Sequence, residues 1–184
     1  MSSPSTSAIS ASPGAPERVR LLLMADTHVP ARARDLPAQL WARVEESDVV
    51  VHAGDWVCEE LLDAVEARSR RLVGVFGNND GPALRQRLPE VARVDIGGLR
   101  LGVVHETGSK ARRDERMRAA YPDLDVLVFG HSHIPWDTEH AGLRLLNPGS
   151  PTDRRHQPFC TYQTADVVDG RLGEVELHQL PLRR

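Results

Sequence analysis

The chain has 184 residues, a length that favours one domain with a sizeable buried core. Its 23 basic and 26 acidic residues leave a net charge of −3, which gives no electrostatic argument for a nucleic-acid surface or a membrane partner. Two cysteines far apart in the sequence, Cys58 and Cys160, exclude the disulfide framework of a small secreted protein. No apolar run approaches the ~18 residues that a spanning helix requires. We therefore expect a soluble, cytoplasmic protein.

The N-terminal segment differs in composition from the rest of the chain. It is rich in Ser, Pro and Ala, and it has neither the basic start nor the apolar stretch of a signal peptide. We predict that residues 1–17 form a disordered tail and that residues 18–184 form a single domain. The sequence is compatible with a homo-oligomer and does not choose an oligomeric state.

The first half of the domain alternates short apolar runs with segments of helical periodicity. This pattern predicts strands and helices in the order βαβαβ, which favours a parallel sheet flanked by helices. The predicted strands are Val19–Ala25, Val49–His52 and Leu72–Phe76, and the predicted helices are Leu36–Ser47 and Cys58–Arg68.

The second half contains turn signals typical of hairpins, such as Gly97-Gly98 and Asp169-Gly170. Hairpins add antiparallel pairs, so we expect two mixed sheets packed face to face with helices outside, a four-layer α/β/β/α sandwich. The predicted elements are strands at Val91–Ile96 and Leu99–His105, a helix at Lys110–Tyr121, and strands at Leu124–Phe129, Trp136–His140, Leu143–Leu146, Thr161–Val168 and Leu172–Gln179.

Residues of metal-ligand type follow the predicted strands in five clusters. In an open α/β sheet, the loops beyond the carboxyl ends of the strands converge on one crevice. Two of the clusters place ligands two residues apart, a spacing that directs both to one side only on extended or loop backbone. The candidate ligands are Asp26, His28, Asp55, Asn78, His105, His131 and His133.

This mixture of carboxylate, imidazole and amide groups is suited to two divalent metal ions. A pair of ions ~3.5–4 Å apart can hold a hydroxide between them and polarise a phosphoryl oxygen. Asp55, which follows a strand and a glycine, is the natural bridging carboxylate. The donor types suit Mn²⁺, Fe²⁺, Zn²⁺, Co²⁺ or Ni²⁺ better than Ca²⁺, and Mn²⁺ is the working expectation.

The same clusters resemble the motifs of the calcineurin-like metallophosphoesterases. The motifs are D-T-H at 26–28, G-D at 54–55, G-N-N-D at 77–80, a strand-end histidine at 105 and G-H-S-H at 130–133. The resemblance covers about residues 19–180, including an N-P-G-S loop at 147–150 that is expected to form an active-site wall. The compact length is similar to the small phosphodiesterase branch, which also contains the retromer scaffold subunit.

The resemblance implies two ligand sets that share one carboxylate. The first ligand set would be Asp26, His28, Asp55 and His133, and the second ligand set would be Asp55, Asn78, His105 and His131. It further implies hydrolysis of a small-molecule phosphoester, more often a diester than a monoester, by a hydroxide bridging the two ions. Asp55, Asn78 and His131 would be the catalytic residues. The alternative is a non-catalytic scaffold or protein-interaction module of the same fold.

Two positions depart from the family pattern. Many relatives have histidine as a proposed general acid where this chain has Asn79, and an amide cannot donate a proton as an acid does. Relatives commonly read Gly-His after the histidine at position 105, where this chain has Glu106 and Thr107. Both departures leave the substrate preference open. His52 and Asp80 are expected to hold neighbouring groups rather than to bind metal.

Overall fold

Two five-stranded sheets and four helices make up the part of the chain that the computed structural model describes, residues 18–181. The predicted N-terminal tail, residues 1–17, lies outside these residues. The helices are α1 (Ala38–Glu46), α2 (Glu59–Arg68), α3 (Pro82–Arg87) and α4 (Arg113–Ala120). The strands are β1 (Arg18–Met24), β2 (Val49–Ala53), β3 (Leu72–Val75), β4 (Val91–Ile96), β5 (Leu99–Val104), β6 (Val126–Val128), β7 (Trp136–His140), β8 (Leu143–Asn147), β9 (Cys160–Val168) and β10 (Arg171–Leu180).

Both sheets are mixed. The first has the strand order β10-β9-β1-β2-β3, with β1, β2 and β3 parallel and β9 antiparallel to both of its neighbours. The second has the order β4-β5-β6-β8-β7, with β5, β6 and β8 parallel and the edge strands β4 and β7 antiparallel. The hairpin signals therefore mark the antiparallel edges, and the βαβ pattern marks the parallel centre.

Alternation along the central strands builds the layers, because successive strand residues point to opposite faces of a sheet. On β1, Leu21 and Leu23 face the core between the two sheets, whereas Leu22 and Met24 face the helical layer beyond the first sheet. Phe129, directly after β6, packs in a third cluster with Met117 of α4 outside the second sheet. Each fully buried side chain of this size contributes about 1.5–3 kcal/mol to stability. The predicted four-layer α/β/β/α sandwich is confirmed.

The main differences from the predicted helices are two start points and one unpredicted helix, and each has a local reason. Helix α1 begins at Ala38 because Pro37 has ψ 142° and disfavours helical geometry at the residue before it. Helix α4 begins at Arg113, since Arg112 adopts a left-handed conformation with φ 50°. Helix α3 was not predicted at all. It has six residues and one buried apolar side chain, Leu84, too few to produce a helical periodicity.

The carboxyl ends of β1, β2, β3, β5 and β6 lie along one edge of the sandwich. Hydrogen bonds join the loops that leave these strands. The Asp26 amide donates to the Gly54 carbonyl at 2.9 Å, and the Gly130 amide donates to the His105 carbonyl at 3.0 Å. The two sheets thus present their loops to a common crevice. Within residues 18–181, no helix combines the length and apolar character needed to cross a membrane.

Candidate metal centre

The structure brings all seven predicted ligands into this crevice. Each lies just beyond a parallel strand, which fixes the starting point of its loop. Strand β1 leads to Asp26 and His28, β2 to Asp55, β3 to Asn78, β5 to His105, and β6 to His131 and His133. Asp26, His28, Asp55, His105 and His133 are buried, whereas Asn78 and His131 are exposed at the mouth of the crevice. The crevice is therefore open on the side of Asn78 and His131.

The first ligand set forms a tight group of potential ligand atoms. His28 Nε2 lies 3.2 Å from His133 Nε2 and 3.5 Å from Asp55 Oδ2. Asp26 Oδ1 lies 3.4 Å from His133 Nε2. Ligands bound tetrahedrally at about 2.0–2.1 Å would be roughly 3.3 Å apart. These three separations are close to that spacing, and the separation of His28 Nε2 from Asp26 Oδ1 is longer, at 4.0 Å.

The second ligand set is also compact, and two of its separations are shorter than those of the first. Asn78 Oδ1 lies 2.9 Å from His105 Nε2 and 2.9 Å from His131 Nδ1. His105 Nε2 also lies 3.4 Å from Asp55 Oδ2, the oxygen that faces the first ligand set. Asp55 Oδ2 thus faces histidines of both groups.

Hydrogen bonds from Nδ1 of two histidines determine which ring nitrogen carries the lone pair in the neutral form. His105 Nδ1 donates to the Ala53 carbonyl at 2.7 Å, and His133 Nδ1 donates to the Asp153 carbonyl at 2.6 Å. Since a carbonyl can only accept, a neutral ring then carries its lone pair on Nε2. Both Nε2 atoms face carboxylate oxygens, which are also acceptors. A divalent cation between these atoms, or a proton on Nε2, would stabilise this arrangement of acceptors.

Asp26 provides an independent indication of a missing positive partner. Its side chain is buried, and its Oδ2 has no hydrogen-bond partner among residues 18–181. Leaving a buried carboxylate oxygen unsatisfied is costly. The residues present therefore fit divalent cations in both ligand sets.

Burial and hydrogen bonding shift the pKa values of three candidate ligands in the crevice. Burial would raise the pKa of Asp55, but hydrogen bonds from His105 and Asn79 hold it well below its ordinary value. Burial lowers the pKa of His28, which keeps its ring neutral, despite the nearby carboxylates. The pKa of His105 is raised, since contacts with Asp55 and Asp26 outweigh its burial. The site therefore has a carboxylate at its centre and an imidazole on either side.

The backbone at the ligands is strained in a systematic way. Five of the seven candidate ligands have positive φ angles, in a region that costs non-glycine residues roughly 1–2 kcal/mol. Such strain persists where surrounding contacts hold it and is frequent at functional sites. The turn after each strand directs these side chains back into the crevice. The angles are 55° at Asp26, 44° at His28, 62° at Asp55, 69° at His131 and 57° at His133.

The loops after β2 and β3 approach each other closely at Gly77. A Cβ atom added at Gly77 would lie 2.2 Å from Asp55 Oδ1 and 2.4 Å from the Asp55 backbone nitrogen. No side chain can be accommodated at that distance without moving one of the loops. Glycine at this position therefore sets the separation between Asp55 and the neighbouring Asn78.

The Asp80 side chain links the loops after β2 and β3 by hydrogen bonds. Its Oδ2 accepts from the amides of Gly77 at 2.7 Å and Asp55 at 3.0 Å, and its Oδ1 accepts from Val57 at 2.8 Å. Burial raises the pKa of Asp80. With both oxygens occupied by backbone amides, Asp80 holds the loops rather than facing the crevice.

His52 plays a comparable part behind Asp55. It is fully buried and stacks on Trp56 with a ring separation of 3.5 Å. Its Nδ1 accepts from the Gly54 amide at 3.2 Å, and its Nε2 lies 3.0 Å from Thr27 Oγ1. This histidine therefore connects the loops after β1 and β2.

The two positions that depart from the family pattern both contact the site. Asn79 donates to Asp55 twice, from its backbone amide to Oδ1 at 2.8 Å and from Nδ2 to Oδ2 at 2.7 Å. The half-exposed Glu106 places Oε1 3.5 Å from His131 Nδ1. Glu106 also groups with His105 and His131 as a potential ligand, a role that the sequence prediction did not give it. Its only sequence signal was a carboxylate directly after a strand-end histidine.

The loop at 147–150 lies behind the first ligand set. Asn147 Nδ2 donates to the Gly130 carbonyl at 2.8 Å, and Ser150 Oγ donates to the Asp26 carbonyl at 2.7 Å. These bonds support the strained turns that carry Asp26 and His131. The loop therefore buttresses the ligand-bearing backbone.

Comparison with known proteins identifies the family. A family model described as the calcineurin-like phosphoesterase superfamily domain matches residues 19–170. A probable metallophosphoesterase from Methanocaldococcus jannaschii is 32% identical over 133 residues, which are 71% of this chain and 67% of that protein.

Solved structures with the same fold include one from Thermotoga maritima and one from Entamoeba histolytica. The solution NMR structure of a Thermotoga maritima protein matches with a TM-score of 0.70 and 32% identity, over 88% of this chain and 99% of that chain. Vps29 from Entamoeba histolytica, crystallised in complex with Zn²⁺, shares the fold with a TM-score of 0.70 at 24% identity, again over 88% and 99%. The resemblance predicted from the motifs is confirmed: the chain belongs to the calcineurin-like phosphoesterase superfamily.

Proposed function

We propose that this protein is a metal-dependent phosphodiesterase of the cytoplasm that acts on a small-molecule phosphoester. The observation that carries the proposal is the pair of ligand sets that meet at Asp55, with nitrogen lone pairs facing carboxylate oxygens. Asp26, His28, Asp55 and His133 would hold one divalent ion, and Asp55, Asn78, His105 and His131 the other. Mn²⁺ is the first candidate, and Zn²⁺ is the ion bound in the Entamoeba histolytica Vps29 complex.

When bound, two divalent ions supply Lewis acidity to a phosphoryl oxygen and a water-derived nucleophile at neutral pH. The chain's own residues determine where the ester lies. The buried ligands close the crevice on the side of Asp26 and His133, so substrate enters past the exposed Asn78 and His131. At that entrance, Asn78 Oδ1 would serve as a metal ligand, because a carbonyl oxygen cannot donate to a phosphoryl oxygen, and the exposed His131 ring would orient the phosphoryl group.

Asn79 affects which leaving groups can depart. The side-chain amide of Asn79 donates a hydrogen bond to Asp55, and an amide does not transfer a proton to a leaving alkoxide. Protonation of the leaving group therefore falls to solvent. We expect esters with stable leaving groups, such as aryl esters, to react much faster than simple alkyl esters.

Glu106 supports a diester over a monoester. Its carboxylate lies at the mouth of the crevice, close to His131 and half exposed to solvent. A phosphodiester carries one negative charge at neutral pH and a monoester carries close to two. Repulsion from this carboxylate therefore penalises the monoester more.

The second candidate function is a scaffold that binds a protein partner without hydrolysis. The structural likeness to Vps29 motivates it, although fold alone does not decide function. The complete set of ligand residues argues for the enzyme, because a scaffold has no physical need for lone pairs that converge on one point.

The test is hydrolysis of bis(p-nitrophenyl) phosphate and p-nitrophenyl phosphate after metal stripping and re-addition of Mn²⁺, Ni²⁺ or Zn²⁺. We expect metal to restore turnover of the diester in the wild type and not in Asp55→Ala. His140→Ala, an exposed histidine on β7, is the matched control and should remain fully active. Full activity in Asp55→Ala would refute the mechanism. Two bound ions per chain without turnover, together with a stable protein complex, would favour the scaffold.

A further inference from the structure

A second recess opens next to the candidate metal centre. It has a volume of about 250 Å³ and begins at Asn78 and His105 of the second ligand set. Sites for drug-sized ligands usually measure roughly 300–1,000 Å³. This recess, which we call the side cavity, is therefore large enough for a single substituent and too small for a whole nucleotide.

Four residues give the side cavity an apolar, partly aromatic side, next to its polar and charged lining. Phe76 and Tyr121 contribute rings, and the paired strands β4 and β5 contribute Val91 and Val104. Val91 is 38% exposed, which is unusual for a large apolar side chain in this protein. These surfaces gain from contact with a flat apolar group, since aromatic pairs contribute beyond their buried area.

The wall at Phe76 is held rigidly. The guanidinium of Arg85 lies over the Phe76 ring, 4.4 Å from its centre. Its Nε donates to the Asp80 carbonyl at 2.7 Å, and its Nη2 donates to the Gly77 carbonyl at 2.9 Å. A wall fixed in this way loses little entropy when a ligand binds. The same bonds link the side cavity to the loop that carries Asn78.

Two carboxylates outnumber the one guanidinium around the side cavity, which disfavours an anionic occupant. Glu90 and Glu106 both line it, and Arg85 directs its nitrogen donors toward backbone carbonyls. A second phosphate or a carboxylate in the cavity would face these carboxylates. An uncharged group would avoid repulsion by these carboxylates and could pack against the apolar side of the cavity.

We propose that the side cavity is a substrate subsite that binds one uncharged aromatic substituent of a phosphodiester. This inference rests on the proposed function, because it takes the phosphoryl group to lie at Asn78 and His131. It names the substrate class: a monoanionic diester with a single-ring aryl or base-like group on one side.

The experiment compares two stable monoanions that bind without reacting, methyl phenylphosphonate and dimethyl phosphate. Each is titrated into the full chain with Zn²⁺ added, and amide NMR shifts report the binding site and affinity. Val91→Trp fills the side cavity from the outer face of β4, and Tyr121→Ala removes one wall. Leu177→Trp, an exposed substitution on the edge strand of the other sheet, is the matched control.

We expect methyl phenylphosphonate to shift amides at Phe76, Val91 and Val104 and dimethyl phosphate to leave them unchanged. Val91→Trp and Tyr121→Ala should weaken binding of the aryl probe at least about 10-fold, the effect of one lost pocket contact, and should not alter zinc stoichiometry. Leu177→Trp should bind like the wild type.

The subsite and the proposed function fail in different ways. Equal affinity for both probes, or an aryl affinity unchanged in both cavity variants, would overturn the subsite even if the protein hydrolyses diesters. Aryl binding that is lost in the variants, in a protein with no turnover, would support the subsite and contradict the proposed hydrolysis.

Discussion

Replacement of Gly77 by alanine is the sharpest available test of how the ligand loops are spaced. The added Cβ would lie 2.4 Å from the Asp55 backbone nitrogen, about 1 Å short of ordinary van der Waals contact at 3.4 Å. The atom in the way is backbone, so a side-chain rotation cannot relieve the clash. The loop that carries Asn78 must therefore move away from Asp55 by about 1 Å.

A displacement of that size is large compared with the tolerance of about 0.2 Å for metal–ligand distances. We expect Gly77→Ala to weaken binding at the second ligand set by at least about 10-fold, and to lower the free energy of unfolding by about 1–3 kcal/mol, as overpacking does. Isothermal titration with Mn²⁺ or Zn²⁺ measures the first effect, and urea unfolding measures the second.

Gly81→Ala is the matched control in the same loop. A Cβ at Gly81 would have nothing within 4 Å, and its φ of −73° suits any residue. This variant should bind metal and unfold like the wild type. Wild-type affinity for both ions in Gly77→Ala would refute the argument that loop spacing at Gly77 sets the second ligand set.

Four further expectations follow from the same structure. His131→Ala should lose the ion of the second ligand set and diester turnover together, and retention of two ions per chain by elemental analysis would contradict it. Asp80→Asn should lower the free energy of unfolding by about 1–3 kcal/mol in urea, because an NH₂ group replaces an acceptor of buried backbone amides; an unchanged midpoint would argue against its clamping role. Leu62→Ala, in the helix-facing core, should cost about 2–5 kcal/mol, whereas a cost below about 1 kcal/mol would show that the site relaxes. Hydrogen bonds from the Arg20 side chain and backbone lower the pKa of Asp48 to about 2. The stabilisation of the fold by ionised Asp48 is therefore complete above the unfolded pKa near 3.9 and is lost as pH falls through 2. Asp48→Asn should remove about 1 kcal/mol of stability at pH 7 and little at pH 2, and a loss of equal size at both pH values would refute the linkage.

Much of the architecture was predictable because the central strands carry a strong signal. All five residues of β2 are buried, and a short continuous apolar run bounded by turn residues predicts a strand that is covered on both faces. The β4–β5 hairpin was also predictable, since the glycine pair at its turn interrupts two apolar runs. Helix α3 left no such signal, because Leu84 is its only buried apolar residue. Its position depends on contacts such as Arg85 with Phe76, which join residues that no local pattern relates.

The sequence by itself determined the types of ligand, their order and their places at strand ends, because these depend on local patterns of apolar and polar residues. Only the tertiary structure decided which ligands meet. His28 and His133 are separated by 105 positions, and they face each other because the carboxyl ends of β1 and β6, in different sheets, lie at one edge of the sandwich. Three further features also arise only in the tertiary structure. They are the hydrogen bond from Asn79 to Asp55, the contact of Glu106 with His131, and the side cavity. Each depends on the distance between loops from separate strands, and sheet packing sets that distance.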